Sequence, residues 1–127
     1  MNSALGLIEA IGLTSAMTAV DAACKAADIK FIGYEKIIGA GAAISVTVHF
    51  AGEVAAVQAG VAAGVAAALK SGRVLSHHVI PRPHEEVDKL IEWFRQEKKD
   101  SLQSPPAGDP TKGDKAEAVK NQRTKTK

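Results

Sequence analysis

Apolar and polar positions change their spacing several times along residues 1–97, and each change marks an element. Ala4 to Glu9 is a short, nearly continuous apolar run, which predicts a strand. Gly12-Leu13-Thr14-Ser15 then supplies a turn and hydroxyls that can cap a helix. Met17, Val20, Cys24 and Ala27 follow at steps of three and four, which puts them on one face of that helix. Ile29 to Ile37 reads as a second strand, and the small residues Gly39-Ala40-Gly41-Ala42 separate it from a third. In that third strand Ile44, Val46, Val48 and Phe50 alternate with Ser45, Thr47 and His49, the period of a strand with one buried face. Gly52 breaks the alternation.

Val54, Val57, Val61, Val65 and Leu69 form a helical stripe that ends near Ser71-Gly72, a glycine C-terminal cap. Gly60 and Gly64 lie one turn apart in this helix, and each costs about 1 kcal/mol of helix propensity against Ala. Close contact with a neighbouring element is the reason to keep them. Val74 to Ile80 predicts a fourth strand, stopped by Pro81-Arg82-Pro83 because proline lacks the ladder donor. His84 to Glu97 predicts a last amphipathic helix with Val87, Leu90, Ile91 and Phe94 on one face. The order is β-α-β-β-α-β-α. Two βαβ-like halves around a central hairpin give an α/β sandwich of ferredoxin-like type, with helices against a sheet.

Composition sharpens this picture. The chain has 127 residues, so one domain is expected. Apolar residues make up 46% and aromatics only 4%, so the core must be built from Ala, Val, Ile and Leu. Small side chains imply close backbone packing rather than a large internal cavity. Residues 98–127 carry Ser, Pro, Gly, Lys and Asp with few large apolar groups, a composition that cannot offset chain entropy. The expected division is a folded domain over 1–97 and a disordered tail over 98–127. The net charge of +2 belongs to the tail. Residues 1–97 hold 8 Lys/Arg and 10 Asp/Glu, whereas 98–127 hold 8 and 4. The folded part is therefore no evident nucleic-acid surface. The opening residues do not read as a signal peptide, and the Ala/Gly-rich stretch 54–69 reads as too short to span a bilayer. An intracellular protein without a membrane partner is expected.

Catalytic and metal chemistry find little support. A single cysteine, Cys24, excludes an intrachain disulfide framework, and on the apolar stripe it reads as a small buried hydrophobe. His77 and His78 are adjacent in a strand and so point to opposite faces. With His84 nearby they match no metal-ligand spacing. Ser45 and Ser76 lack a nucleophile-elbow context. Glu85, Glu86 and Asp88 open the last helix, where acids meet its dipole favourably. Gly39-Ala40-Gly41 lacks the Lys-Ser/Thr of a phosphate loop. No catalytic residue, cofactor or metal is assigned.

Several segments together resemble one family. Ala4-Leu5-Gly6-Leu7-Ile8-Glu9 with Gly12-Leu13-Thr14 is similar to the opening of bacterial microcompartment shell proteins. So are Ala19-Val20-Asp21-Ala22-Ala23-Cys24-Lys25-Ala26-Ala27, Gly33-Tyr34-Glu35-Lys36-Ile37, Gly52-Glu53-Val54 and His78-Val79-Ile80-Pro81-Arg82-Pro83-His84. The likeness covers residues 4–91 and is to the single-domain hexameric class. Its Pro-Arg-Pro-His ending looks more like catabolic compartments (metabolosomes) than carboxysome tiles.

The resemblance implies a cyclic homohexamer that tiles with other shell proteins into a sheet around metabolic enzymes in the bacterial cytoplasm. It implies a pore on the six-fold axis for small polar metabolites. Lys25 matches the lysine at the hexamer–hexamer edge, and Arg82 the second edge residue. The pore rim falls on Gly39, Ala40, Gly41 and Ala42, although the stretch from Lys36 to Glu53 is longer than the family's usual one. Read from the residues alone, Lys25 is also a helix-surface partner for Asp21. Two other classes stay open at this point. One is a small-molecule-binding or signalling oligomer with a ferredoxin-like core. The other is a nucleic-acid contact through the basic tail.

Overall fold

Seven elements follow one another in the order the sequence predicts. A computed structural model describes residues 3–40 and 43–103. The elements are β1 (Ala4–Ile11), α1 (Leu13–Ala26), β2 (Lys30–Ala40), β3 (Ala43–Gly52), α2 (Val54–Ser71), β4 (Val74–Ile80) and α3 (Glu85–Gln103). The strands form one sheet in the order β2-β3-β1-β4, and every neighbouring pair is antiparallel. Both αβ crossovers return their strand to the same sheet, so α1 and α2 lie side by side on one face. Ile8, Val46, Val48 and Phe50 point into that layer and are at most 1% exposed. They meet Val57 and Val61 of α2. Burying such side chains stabilises the fold by about 1.5–3 kcal/mol each.

The helix faces that meet the core differ from those the spacing marked. On α1 the buried residues are Ser15, Ala16, Ala19 and Ala23. Leu13 and Met17 are exposed, and so is Cys24, which is therefore no core residue. On α2 the buried row is Val57, Gly60, Val61, Gly64 and Ala68, while Leu69 is 59% exposed. The reason is distance. A Cβ at Gly64 would lie 2.9 Å from the Ala19 carbonyl oxygen, and one at Gly60 would lie 2.5 Å from Ile29 Cδ1. The helices approach backbone to backbone, so the smallest residues face inward and larger ones are turned out. At 18 residues α2 is long and apolar enough to cross a membrane, contrary to the sequence reading. Its buried row against β1 and α1 makes it a core helix.

Chain ends of the elements are set locally. Neither Thr14 nor Ser15 caps α1: the cap position is Gly12, with no side-chain bond. α2 ends as expected, with the Gly72 amide donating to the Ala68 carbonyl at 2.9 Å. His84 opens α3. Its carbonyl accepts from the Val87 amide at 2.9 Å, and its Nδ1 accepts from the Glu86 amide at 3.2 Å. On α3, Ile91 is buried and Leu90 is exposed. Met1–Arg95 form one compact unit. From Gln96 a second unit begins, whose described part is the last two turns of α3, with Leu102 exposed. The helix thus runs six residues past Glu97, through Lys98 and Lys99, which are good helix formers. The rest of the expected tail, 104–127, lies outside the described residues.

Two outcomes follow from this packing. Gly64→Ala meets a backbone oxygen and should cost about 1–3 kcal/mol. Gly60→Ala meets only the tip of Ile29 and gains helix propensity, so it should stay within ~1 kcal/mol of wild type. Urea midpoints in the reverse order would refute the backbone contact. For Cys24, partial burial and then the nearby Asp21 carboxylate push the thiol up. The native protein should react with iodoacetamide at neutral pH severalfold more slowly than free cysteine, and Asp21→Asn should speed it. A rate equal to that of free cysteine would contradict the assignment.

Candidate functional site

The second and third strands form a hairpin that outreaches the sheet. β1 ends at Ile11, whose partner is Ser45. Beyond that pair, the strand partners of β2 and β3 are each other, through Ile38↔Ile44 and Ala40↔Ala43, and the Ile44 carbonyl also accepts from the Gly12 amide. The strands therefore run farther than the sequence predicts. Ile37, Ile38 and Ile44 favour this because β-branched residues suit extended backbone. Gly39 lies inside the strand, at a register shift between Ile38 and Ala40, with φ 97°. That left-handed conformation is open to glycine at little cost. Of the four residues expected at a pore rim, Gly39 and Ala40 are in β2, whereas Gly41 and Ala42 lie outside the described residues. Ile38 is 80% exposed and Ile44 47%.

A polar network sits at the base of this overhang. Glu9 in β1 is half-buried, with Thr47 and Ser76 as its cross-strand partners. Its Oε1 accepts from Ser45 Oγ of β3 at 2.8 Å, and its Oε2 accepts from Ser76 Oγ of β4 at 3.0 Å. Ser45 is fully buried. Sequence reasoning considered these serines only as nucleophiles and did not single out Glu9. The available signal was one carboxylate inside an apolar strand, on the face shared with Ser45 and Ser76.

The other end of the sheet carries the two basic residues. α1 starts beside the end of β1 and runs back along it, so its last turn, with Lys25, returns toward the Ala4 end. Ile29 lies against Gly52 there, which pairs with Ala4. Arg82 follows β4, whose Ile80 pairs with Leu5. Lys25 Nζ donates to Asp21 Oδ2 at 2.8 Å, with the lysine side chain 76% exposed. Arg82 is exposed in an open groove of about 1160 Å³ with Ser3, Glu53, Pro81, Pro83 and His84. Lys25 and Arg82 thus share the end of the molecule opposite the hairpin tip.

The histidines are separated as the strand period requires: His77 and His78 fall at successive positions of β4, opposite Ile8 and Leu7. Among the described residues no group of three His, Cys, Asp or Glu side chains could hold a metal ion.

Comparison with known proteins places the chain in a family. The BMC domain model matches residues 4–83. The bacterial microcompartment shell protein PduA of Citrobacter freundii is 50% identical over 88 residues, 69% of this chain and 90% of that protein. The carboxysome shell protein CcmK2 of Synechococcus elongatus is 45% identical over 93 residues, 72% of this chain and 87% of that protein. Among solved structures, a microcompartment protein from Desulfitobacterium hafniense DCB superposes with a TM-score of 0.62 at 32% identity. That match covers 70% of this chain, which spans about half (48%) of the other. With its fold, its strand order and its similarity over residues 4–83 in accord, the chain belongs to the BMC-domain family, the structural shell proteins of bacterial microcompartments.

Proposed function

We propose that the chain forms a six-membered ring that tiles edge to edge, with the β2–β3 tip at the ring axis and Lys25 and Arg82 at the outer seam. The observation that carries this is the separation of the two features. β1 spans 8 residues between them, roughly 25 Å at the usual rise per residue. One end can then face an axis while the other faces a neighbouring ring.

Residues 1–97 supply the tile, and the basic segment 98–127 is an appendage to it. A ring needs a heterologous contact that closes on itself. Exposed Ile37, Ile38 and Ile44 at the tip suit such a contact, because apolar groups gathered in one place favour being covered. Gly39, Ala40, Gly41 and Ala42 would form the rim of a pore for small polar metabolites. Without a side-chain hydroxyl, recognition falls to backbone amides and carbonyls. At the seam, Lys25 has three donors to offer a facing backbone. Leaving Asp21 costs little, since exposed ion pairs are worth about 0–1 kcal/mol. Other shell proteins and enclosed enzymes are the partners of such a sheet.

Two measurements test the two ends separately. Lys25→Ala should leave rings intact by size-exclusion chromatography and abolish hexagonal sheets in negative-stain micrographs. Sheets of normal extent from that variant would remove Lys25 from the seam. Ala40→Trp should cut the glycerol permeability of assembled shells at least fivefold, whereas unchanged flux would remove the rim from the axis.

A further inference from the structure

Glu9 pairs with Thr47 of β3 in a ladder without a register shift, but its ladder to β4 is irregular. On the β4 side the β1 register shifts between Glu9 and Ala10. On the β2 side the hairpin register shifts between Ile38 and Ala40. Such irregularities bend and twist a strand, so beyond Ile11↔Ser45 the hairpin's own ladder defines the direction of the overhang only loosely.

Beside the β1–β3 ladder, which ends at Ile11↔Ser45, two further bonds hold the base of the overhang. One is the Gly12 amide donating to the Ile44 carbonyl at 2.9 Å. The other is Ser45 Oγ donating to Glu9. Only the second is itself braced, because the same carboxylate also takes Ser76 of β4. Ser45 is fully buried, so water cannot replace Glu9 as its acceptor.

We propose that Glu9 is a positioning residue for the pore, fixing the aim of the β2–β3 tip through Ser45 while anchored on Ser76. This rests on the pore reading above. The described overhang extends about 7 Å past Ser45, to Ala43, so a tilt of roughly 8° there moves its end by about 1 Å. Repeated around a ring, that shift changes the aperture by a distance comparable to one carbon of a polyol. Glu9 thus sets the size limit for neutral hydroxylated solutes without touching them.

The test is the osmotic response of shells assembled from the full chain, read as erythritol flux relative to glycerol flux. Glu9→Ala and Ser45→Ala should each raise that ratio at least threefold with hexagonal spacing unchanged. Glu9→Gln, whose amide still accepts and whose serine partners can rotate, should stay within twofold of wild type. Val65→Ala, a core change on the other face of the sheet, controls for general loosening and should leave the ratio unaltered. An equal rise in Val65→Ala would overturn the proposal, as would wild-type ratios in both Glu9→Ala and Ser45→Ala. If Ala40→Trp blocks glycerol while those two variants match wild type, the pore stands and the role of Glu9 falls. If Ala40→Trp has no effect, both fall together.

Discussion

The close approach of α1 and α2 governs the rest of this fold. Gly64 lies against the Ala19 carbonyl and Gly60 against Ile29, with Ala23 between them. Only residues without bulk fit there, which explains a core so poor in aromatics. Gly60 and Gly64 each weaken the helix locally, by about 1 kcal/mol against Ala. Close packing of the two helices on Ile8, Val57 and Val61 compensates. The larger apolar side chains of both helices, Leu13, Met17 and Leu69, are displaced to the outside.

A thin, tightly seated helix layer leaves the sheet to carry the functional features. Its face toward the helices is wholly apolar at Ile8, Val46, Val48 and Phe50. The opposite face takes the polar groups: Glu9, Ser45, Ser76 and His78. Because the strands are antiparallel and β1 stops short of the hairpin tip, one end of the sheet becomes a projecting loop. The other end gathers the β4 exit and the last turn of α1. The division of the molecule into a tip and a basic edge is a property of strand length, not of any special motif.

Much of this was legible in the sequence, and the failures have physical causes. Strand alternation from Ile44 to Phe50 identified the strand and its core face from Val46 on, but the expectation of a single buried face failed, since Ser45 and His49 on the opposite face are buried as well. Element order followed from changes of period. The α1 face was misread because spacing rules weight large apolar residues, and here alanine was the inward group. Cys24 was misplaced for the same reason. The two glycines of α2 were read correctly, since their propensity cost demands a contact. Lys25 and Arg82 drew notice only through family resemblance: nothing in their local chemistry separates them from other surface cations. The Glu9 network was invisible because its partners are 36 and 67 residues away along the chain. Hydrogen bonds between distant strands leave no periodic trace.

With Lys25 at the proposed seam, its pair with Asp21 would bear on how a shell grows. A lysine that already holds a carboxylate at 2.8 Å trades one bond for another when it reaches across a seam. Each such exchange is close to neutral, since exposed pairs contribute only about 0–1 kcal/mol. A misplaced tile would then be held by little at any single edge and could detach, whereas a tile seated on all its edges accumulates many small gains. Weak, exchangeable seams let a growing lattice correct itself, and they make its extent respond to salt more readily than the fold of each subunit does.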